Sequence, residues 1–484
     1  MVQNGRLVAS LFAVALALIA TQACAAPAPP DARAIDAIFG DLAASKGPGC
    51  AAGVIQDGKL TFAKGYGLAS LEQSTPITPQ TVFDLGSISK QFMAATVMLL
   101  VEDGRLALDD DVRKYLPELP QLGPDRVTLR SMLHHTSGLR DYVGLMLLAG
   151  RRFEDLTTPA DALAILSRQK GLNFPVNSRF AYCDTNYFLL SQVVERVAGK
   201  PWRALAAARL FAPLGMTHTE VLDDTARVVR GRAASYEPGP SGGFVVDASD
   251  WQQTGDGAVQ TTLEDLVRWD ANFYAPRVGG VRMLREMQTV GKLATGEPTG
   301  YGMGLFLNSY RGLRRVEHSG SWVGYRAAFT RFPDERTSVV VLCNVGSADA
   351  VGRANHLADV VLAGRFHDDA DPSPSSPSGL STATVLLPAP PVAVDPALYA
   401  GTYFSAELGV LWRIDAVDGR LVLRHRALGD PSLLPLAPEI FRAGPARLSF
   451  TPASGARRRF EIAMDDTRGV QFERVPDSTV PPIQ

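Results

Sequence analysis

The stretch FDLGSISKQFMAATVMLLVEDGRL, residues Phe83 to Leu106, combines a Ser and a Lys with a long apolar run. From Gln91 onward the apolar residues are too dense for a surface helix, so the pattern predicts a mostly buried helix. That helix is expected to end at Gly104, because Gly commonly follows the last helical turn. Ser87 stands where a helix N-cap is expected. The stretch alone leaves open whether Ser87 is a cap or a nucleophile.

Lys90 follows Ser87 by one helical turn, so the two side chains are expected to share one face of the helix. Burial disfavours an ammonium group, and a neutral amine can accept the proton of a hydroxyl. The start of a helix also offers backbone N–H groups and a positive dipole end to a developing oxyanion. Ser87 and Lys90 are therefore candidates for a nucleophile and its base. The alternative is a capping Ser beside a Lys that extends to solvent.

Two other motifs match the residue spacing of known nucleophile motifs, but the predicted structure around them does not fit a catalytic site. Ser167 and Lys170 repeat the Ser-x-x-Lys spacing near the end of a helical run that stops at Gly171. A Lys is favourable there simply because of the helix dipole. The G-x-S-x-G pattern around Ser241 would need a strand before it and a helix after it. Two prolines precede it and a β-type run follows, so a loop is predicted.

The N-terminus differs from the rest of the 484-residue chain, whose length suggests about two domains. Residues 1–25 contain Arg6, an apolar run and Ala23-Cys24-Ala25, the layout of a secretory signal peptide cleaved after Ala25. We therefore expect a periplasmic or secreted protein with no membrane span after cleavage. A membrane anchor and a lipoprotein cleaved before Cys24 are the alternatives. The net charge of −2 argues against nucleic acid as a partner.

Cysteine and histidine usage argues against a metal site. Cleavage would leave Cys50, Cys183 and Cys343, which form neither a CxxC motif nor a zinc-type cluster. Cys183 is expected to pack inward as a small apolar residue. His134 and His135 are adjacent, and adjacent residues rarely ligate one metal; this pair belongs either to the edge of a site or to a structural turn. We expect no metal and no cofactor.

The order of β-type and helical runs predicts the architecture. Residues 50–67 predict a hairpin that turns at Asp57-Gly58, and residues 314–344 predict three strands. Helices are predicted between them over residues 158–168, 186–198 and 262–272. This order indicates an α+β fold with an antiparallel sheet closed by both ends of the segment. Residues 366–396 form a Pro/Ser/Ala-rich linker, and residues 397–478 predict a small all-β domain, either a sandwich or a barrel.

Two further segments carry a resemblance to a known family. Tyr182 and Asp184 stand just before a predicted helix, and His318-Ser319-Gly320 lies on a predicted strand. With Ser87 and Lys90 they resemble, in order, the S-x-x-K, Y-x-N and K/H-T/S-G motifs of the penicillin-recognising serine hydrolases. That superfamily includes class C β-lactamases, D-alanyl-D-alanine carboxypeptidases, D-aminopeptidases and related esterases. The likeness covers about residues 31–365 and implies the β-lactamase/penicillin-binding fold, a sheet with flanking helices and a helical subdomain.

The resemblance implies a role for each matching residue. Ser87 would attack a carbonyl and become acylated, while Lys90 and Tyr182 would remove its proton and relay it to the leaving group. The backbone N–H groups of Ser87 and Ser321 would form the oxyanion hole. Ser319, in the HSG element with Gly320, would hydrogen-bond the substrate.

Two departures from the β-lactamase pattern bear on the substrate. Asp184 stands where those enzymes usually carry Asn, and an ionised carboxylate cannot donate a hydrogen bond. Its charge would also keep Lys90 protonated, as an electrostatic partner rather than a free base. His318 replaces the Lys of most β-lactamases and would be largely neutral at pH 7, which weakens attraction for a substrate carboxylate. Both departures favour a peptidase or an esterase.

We therefore expect an exported serine hydrolase with an acyl-enzyme on Ser87, either a peptidase on D-amino-acid-containing peptides or a carboxylesterase. A class C type β-lactamase and a non-catalytic peptide- or cell-wall-binding protein are the alternatives. Expected substrates are small molecules or peptides, such as cell-wall stem peptides, esters or β-lactams. The family also places the strands of Cys50 and Cys343 side by side, so a disulfide between them is a hypothesis. The C-terminal domain resembles the β-barrel extensions of D-aminopeptidase-like members, and the sequence leaves its role open.

Overall fold

The computed structural model describes residues 30–44, 46–367, 394–451 and 458–476. The predicted signal peptide, residues 1–25, and most of the predicted linker, residues 366–396, lie outside the described residues. Within the part that is described, no helix has the length and apolar character that crossing a bilayer requires.

Up to residue 367 the chain alternates strands and helices. Its strands are β1 (Cys50–Gln56), β2 (Lys59–Tyr66), β3 (Leu68–Ser70), β4 (Thr75–Pro76), β5 (Phe83–Asp84), β6 (Glu220–Val221), β7 (Tyr236–Pro238), β8 (Phe244–Val246), β9 (Val259–Thr261), β10 (Phe306–Tyr310), β11 (Leu313–Trp322), β12 (Tyr325–Phe332) and β13 (Thr337–Cys343). Its helices are α1 (Ala32–Ile38), α2 (Gly40–Ala43), α3 (Lys90–Glu102), α4 (Leu129–Leu133), α5 (Tyr142–Leu148), α6 (Pro159–Leu166), α7 (Asp184–Ala198), α8 (Trp202–Ala206), α9 (Ala212–Leu214), α10 (Leu263–Asn272), α11 (Gly280–Met287) and α12 (Ala350–Val361). A 3-10 turn, Gly86–Ser89, leads directly into α3.

Six strands form the main sheet, in the order β10-β11-β12-β13-β1-β2, and every neighbouring pair is antiparallel. The predicted closure of the sheet by both ends of the segment is confirmed, because β1 pairs with β13. Side chains of β13 alternate between two apolar clusters. Val339 and Val341 pack with α1 and α12, whereas Val340 and Leu342 pack with the helices on the other face. A strand that is buried on both faces has apolar residues at successive positions, which explains the continuous apolar run of β13 in the sequence.

A disulfide joins the first and last strands of this segment. Cys50 and Cys343 are register partners with Cα atoms 4.0 Å apart, and their sulfur atoms are bonded. The disulfide hypothesis is thereby confirmed. Cys183 is a buried free thiol, as its neighbours in the sequence predicted.

Helix α3 runs through the interior between the sheet and the helical region. Every residue from Lys90 to Leu100 is buried, which explains why its apolar positions show no single stripe. The helix ends at Glu102, and Gly104 adopts a left-handed conformation with φ of 69°. The predicted buried helix and its Gly stop are confirmed.

The C-terminal part is an all-β barrel. Its strands are β14 (Gly401–Ser405), β15 (Val410–Val417), β16 (Arg420–Arg424), β17 (Leu433–Ala437), β18 (Ile440–Ala443), β19 (Ala446–Phe450), β20 (Arg459–Met464) and β21 (Thr467–Val475). They hydrogen-bond in the order β16-β15-β14-β21-β20-β19-β18-β17. A bridge between Val422 and Ser432 brings the two edges together, so of the two predicted forms the barrel is the one observed.

The barrel packs directly on the helical region. Trp412 Nε1 donates to the carbonyl of Leu148 at 3.1 Å. Arg140 and Glu407 form a buried ion pair between the two parts. The turn between β20 and β21, Asp465-Asp466, reaches the start of α5, where the backbone N–H of Asp141 donates to the carbonyl of Asp466 at 3.3 Å. The barrel therefore contacts the segment on which the site below is built.

Candidate active site

Ser87 lies in the 3-10 turn that precedes α3, and its hydroxyl does not cap the helix. In the described structure neither the turn nor α3 has a side-chain cap. Ser87 Oγ instead accepts a hydrogen bond from Lys90 Nζ at 3.0 Å. Of the two roles that the sequence left open, the N-cap is not observed, because the tight turn points the Ser87 hydroxyl towards Lys90. The two residues that the first motif singled out do meet.

Lys90 is fully buried and has three acceptors for the three N–H donors of an ammonium group. They are Ser87 Oγ at 3.0 Å, Asp184 Oδ1 at 2.6 Å and the carbonyl oxygen of Asp256 at 2.8 Å. Burial opposes the charged form, but the surrounding negative charge, led by that of Asp184, outweighs it and raises the pKa of Lys90. Lys90 is therefore an ammonium paired with Asp184, as the Asp at position 184 predicted. It is not the neutral amine that the Ser-x-x-Lys motif alone suggested.

Tyr182 faces the same two residues from the start of α7. Lys90 Nζ lies 4.8 Å from the centre of its ring. Among the residues that the structure describes, none hydrogen-bonds to the buried Tyr182 hydroxyl. Burial raises the pKa of Tyr182, although the nearby Lys90 charge opposes this, so the phenol is protonated at neutral pH. An unpaired buried hydroxyl beside a candidate nucleophile is available to a substrate group.

The turn that carries Ser87 packs tightly against strand β11. A Cβ atom added to Gly320 would lie 1.9 Å from the carbonyl oxygen of Leu85 and 3.3 Å from Ser87 N. One added to Gly86, whose φ is 51°, would lie 2.6 Å from Ser321 N. The two glycines thus let the backbones approach closely. This contact brings the amides of Ser87 and Ser321 near each other, as an oxyanion hole requires.

His318 lies on β11 beside this contact and is neutral. Its Nδ1 is 2.6 Å from the carbonyl oxygen of Ser319, which can only accept, so Nδ1 carries the proton. Its Nε2 therefore accepts from the Tyr301 hydroxyl at 3.0 Å. Burial, with the charge of Lys90 adding to it, lowers the pKa of His318 to about 3. A neutral imidazole offers no charge to a substrate carboxylate, in line with the sequence argument.

Two further acids belong to the site, and sequence reasoning missed both. Asp141 Oδ2 accepts the backbone N–H of Asp184 at 2.5 Å, while its Oδ1 caps α5. Asp256 Oδ2 accepts the Tyr142 hydroxyl at 2.8 Å. Burial, reinforced by the charge of Asp184, raises the pKa of both Asp141 and Asp256 to about 7. Neither residue belongs to a short motif, so only the fold reveals them.

His135 is the third residue that the motifs did not assign. It is fully buried, and its ring centre lies 4.4 Å from that of Tyr182. Its Nδ1 accepts the backbone N–H of Cys183 at 3.1 Å, so the ring helps to hold the backbone next to Tyr182 in place. Of the two interpretations of the His pair, His135 fits a packing role at the site. His134 lies at the end of α4, with Nδ1 3.3 Å from the carbonyl oxygen of Tyr301.

A cleft of 310 Å³ opens above Ser87, and one of its walls comes from the barrel. Residues of both parts line it: Ser87, Tyr182, Asp184, His318, Ser319 and Ser321 from the first, Asp465, Asp466 and Thr467 from the barrel turn. Thr467 Oγ1 donates to the carbonyl of Asp141 at 3.1 Å, and an added Cβ on Gly144 would lie 2.7 Å from Thr467 Oγ1. The barrel turn is therefore packed against α5 rather than free.

The two look-alike motifs lie where the sequence placed them. Ser167 follows the last residue of α6 and donates to the carbonyl of Ala164. Ser241 lies in the turn between β7 and β8, with no helix after it. In the described ranges, no group of three or more His, Cys, Asp and Glu side chains could hold a metal ion.

Comparison with known proteins agrees with this geometry. The model of the Beta-lactamase family matches residues 35–363. The chain belongs to that family. It is similar to a D-aminopeptidase of Cereibacter sphaeroides, with 29% identity over 392 residues, which are 81% of this chain and 70% of that protein. It is also similar to a D-aminopeptidase of Brucella anthropi, with 31% identity over 62% of this chain and 56% of that protein.

Solved structures share the fold. The octameric penicillin-binding protein homologue from Pyrococcus abyssi superposes with a TM-score of 0.63 at 22% identity, over 92% of this chain and 100% of that one. The D-amino acid amidase from Ochrobactrum anthropi SV3 gives a TM-score of 0.58 at 22% identity, over 69% of this chain and 99% of that one. The predicted superfamily and the α+β fold with its all-β C-terminal part are confirmed. This family member is a serine hydrolase of amides or esters, not the non-catalytic binding protein that the sequence left open.

Proposed function

We propose that this hydrolase releases the first residue, or an amide group, from substrates that carry a free α-ammonium group on a D-amino acid. The observation that carries the proposal is the negative charge of the cleft around Ser87. Its carboxylates are Asp141, Asp184, Glu237, Asp247, Asp465 and Asp466. Among the described residues that line the cleft, Arg326 is the only Arg or Lys, and it lies 3.5 Å from Glu237.

An acidic cleft favours a cationic substrate over an anionic one. Penicillins and peptides cleaved near their C-terminus bring a carboxylate, and His318, which would meet it, is neutral. A free ammonium group would instead find Asp465 and Asp466 on the barrel turn. Backbone contacts hold that turn, because the Asp466 carbonyl accepts from both Asn173 and Asp141. The charge pattern therefore supports an aminopeptidase or amidase over a carboxypeptidase or β-lactamase.

The names of the relatives support the stereochemistry of the proposed substrate and the type of bond that is cleaved. Both curated relatives reported above are named D-aminopeptidases, and one structural relative is named a D-amino acid amidase. These names support a D residue on the acyl side and an amide as the bond cleaved. A carboxylesterase activity on the same acyl-enzyme is the runner-up, since an ester needs less help from the leaving-group acid.

The proposed mechanism uses the contacts around Lys90. Proton transfer along the 2.6 Å bond from Lys90 to Asp184 leaves an amine that can accept the Ser87 proton as Oγ attacks the carbonyl carbon. The N–H groups of Ser87 and Ser321 stabilise the oxyanion. The protonated Tyr182 hydroxyl donates to the leaving nitrogen and regains a proton from Lys90. Neutral Lys90 then takes a proton from water as the water oxygen attacks the ester carbonyl, and it passes that proton to Ser87 Oγ as the carboxylic acid product leaves. Asp184 finally returns its proton to Lys90, which restores the ion pair.

We also propose that the protein is exported. Support comes from the signal-peptide layout of residues 1–25 and from the Cys50–Cys343 disulfide, since such bonds persist in oxidising compartments. N-terminal sequencing of the protein from a periplasmic fraction should begin at Ala26. Recovery of the uncleaved chain from the cytoplasm would contradict export.

The test compares matched substrates on the full chain. The panel is the 4-nitroanilides of D-alanine, N-acetyl-D-alanine and L-alanine, together with nitrocefin and 4-nitrophenyl acetate. We expect kcat/KM for D-alanine anilide to exceed that for its N-acetyl form about 100-fold, because charge-assisted contacts to the ammonium are lost on acetylation. Ser87→Ala should abolish turnover and labelling by a fluorophosphonate.

Variants of the barrel turn test the source of the preference. The double variant Asp465→Asn, Asp466→Asn should lower the ratio of free to acetylated substrate about tenfold, since it removes both charges of the turn. Asp418→Asn, in a hairpin turn of the barrel away from the cleft, is the matched control and should keep the ratio. Preferential hydrolysis of nitrocefin or of the acetylated anilide would overturn the proposal and favour the β-lactamase or esterase reading.

A further inference from the structure

A second cavity of 180 Å³ adjoins the cleft. Asp247, Trp322 and Val323 line both spaces, so the two spaces adjoin at these residues. A single water needs about 10–15 Å³ of such volume, so the inner cavity has room for several non-hydrogen atoms of a side chain. The mechanism proposed above makes no use of this space.

Aromatic rings border the place where the two spaces adjoin. The ring centres of Phe153 and Trp322 are 5.2 Å apart, and those of Trp251 and Trp322 are 6.1 Å apart. Tyr142 continues the row, with its ring centre 6.3 Å from that of Trp251. Phe153 lines the cleft, while Trp251 and Tyr142 line the inner cavity. Such rings can pack against an aliphatic stem and attract a cation at its end.

Three carboxylates line the cavity, and one of them has unmet hydrogen-bonding capacity. Asp256 lines it and is 7% exposed, and its Oδ1 has no hydrogen-bond partner among the described residues. Asp247 lines it as well, and in the described structure it forms no ion pair. Asp84 is the third acid, but its oxygens already accept from Gly86 N and Gln260.

The positive charge in the cavity does not balance these acids. Arg232 is the only Arg or Lys among the described lining residues, and its Nε donates to the Tyr325 hydroxyl at 3.2 Å. Its charge acts on Asp84, whereas the cations that act on Asp256 and Asp247, which are Lys90 and Arg326, lie outside the cavity lining. A buried carboxylate oxygen without a partner is costly, and a bound cation would supply the missing donor.

We propose that the inner cavity receives the side chain of the substrate residue that is acylated, and that it selects a long side chain ending in a cation, as in lysine or ornithine. The methylene stem would lie along the exposed faces of the aromatic rings where the two spaces adjoin, and the terminal ammonium would meet Asp247 and Asp256. The inference rests on the proposed function, because it assigns the side chain of the same residue whose α-ammonium faces the barrel turn.

Steady-state kinetics with three anilides test the assignment. D-Lysine and D-ornithine 4-nitroanilides carry the terminal cation, whereas D-norleucine 4-nitroanilide keeps a similar stem without it. We expect kcat/KM for the D-lysine substrate to exceed that for D-norleucine about tenfold, the size expected for a partly desolvated cation near rings and carboxylates. Equal values, or a preference for D-norleucine, would overturn the inference while leaving the proposed function intact.

Asp247→Asn and Glu237→Gln form a matched pair of variants. Glu237 lies within β7 and Asp247 directly follows β8. Both acids line the cleft, but only Asp247 also lines the inner cavity. Asp247→Asn should reduce the ratio of D-lysine to D-norleucine turnover at least threefold, and Glu237→Gln should keep it within twofold. An equal fall in both variants would show a general charge effect and would count against the cavity.

Binding to Ser87→Ala separates this inference from the proposed function. Calorimetry with D-lysine amide and D-norleucine amide measures selection without turnover. Tighter binding of D-lysine amide supports the cavity even if no anilide is hydrolysed, an outcome that would remove the proposed function alone. Indistinguishable binding of the two amides would overturn the cavity assignment whatever the kinetics show.

Discussion

The environment of Lys90 shows why one substitution in a motif changes the chemistry of the site. With Asn at position 184, Lys90 would keep two neutral acceptors, and burial would favour its neutral form. Asp184 adds a charged acceptor at 2.6 Å and fixes the ammonium. Two more acids lie nearby, Asp141 and Asp256, and the charge of Asp184 contributes to raising the pKa of both. The site therefore starts its reaction from an ion pair rather than from a free amine.

Replacing Asp184 by Asn should shift the substrate preference towards β-lactams. The Asn amide can donate to the acyl side-chain amide of a penicillin, which a carboxylate cannot do. It also removes one negative charge from a cleft that repels the substrate carboxylate. We expect the ratio of kcat/KM for benzylpenicillin to that for 4-nitrophenyl acetate to rise about tenfold. Spectrophotometric assays of both substrates measure it.

The control for this change is Asp109→Asn, at an exposed ion pair with Arg130. It should leave the ratio of the two activities unchanged. An unaltered ratio in Asp184→Asn as well would show that the acid at position 184 does not set the preference.

Residue by residue, the sequence predicted those members of the site that belong to short motifs. Ser87 and Lys90 are one helical turn apart, and their spacing therefore carries information. Asp256 is different, because it contacts Lys90 across 166 residues of chain. His135 was visible as part of a His pair, but its stacking on Tyr182 depends on how two loops pack. No local pattern specifies such contacts, so they emerge only with the fold.

At the scale of elements, the contact between the Gly86–Ser89 turn and strand β11 assembles the site. The strand supplies Ser321 and the turn supplies Ser87, and their backbones can touch because Gly320 and Gly86 have no side chains. The register of β11 against β12, with Ser319 opposite Ala328, fixes where the glycine falls. A shift of this register by one residue would move each side chain of β11 to the opposite face of the sheet.

Gly320→Ala should therefore disable the enzyme without unfolding it. The added Cβ would lie 1.9 Å from the Leu85 carbonyl oxygen, so the nucleophile turn has to move away from the strand. Displacing an oxyanion-hole donor costs on the order of 100-fold in kcat. We expect at least that loss in kcat/KM for the D-alanine anilide, with circular dichroism confirming the native fold.

Gly123→Ala serves as the control, because a Cβ at Gly123 meets nothing within 4 Å. Its activity should match the wild type, and its unfolding free energy should stay within about 0.5 kcal/mol of it. If folded Gly320→Ala keeps full activity, the close approach of turn and strand is not needed for catalysis.

Long elements were predictable from sequence, and short ones were not. The apolar run of β13 and the buried α3 have lengths over which a period can be recognised. Strands β5 and β9 contain two and three residues, and they pair across the molecule through contacts such as Phe83 with Thr261. The 3-10 turn before α3 has only four residues. The sequence therefore predicted Ser87 at the start of the helix rather than in a separate turn.

For the whole molecule, the barrel is part of the site rather than an appendage. Its β20–β21 turn binds both backbone groups of Asp141 through the Asp466 carbonyl and the Thr467 hydroxyl. Asp141 in turn accepts the backbone N–H of Asp184. Asp141 and Asp184 thus connect the barrel to Lys90. The sequence predicted an all-β domain, but the surface on which it docks depends on contacts that no periodicity encodes.

Glu407 is the anchor of that docking and provides the last prediction. Its carboxylate is 2% exposed, pairs with buried Arg140, and accepts the backbone N–H groups of Lys170 at 3.0 Å and Gln471 at 3.1 Å. Glu407→Ala leaves the Arg140 charge and both amides without this acceptor. We expect the free energy of unfolding, from urea titration, to fall by about 3–5 kcal/mol.

The same variant should also weaken catalysis, because the barrel turn loses its support next to Asp141. The ratio of free to N-acetylated D-alanine anilide turnover should fall towards that of the Asp465, Asp466 double variant. Arg413→Ala, at an exposed ion pair with Asp415, is the matched control, and its stability should change by no more than about 1 kcal/mol. A stable Glu407→Ala protein with an unchanged ratio would mean that the buried pair neither holds the barrel in place nor positions its turn, and that the acidic wall of the cleft is maintained by the Asp141 contacts alone.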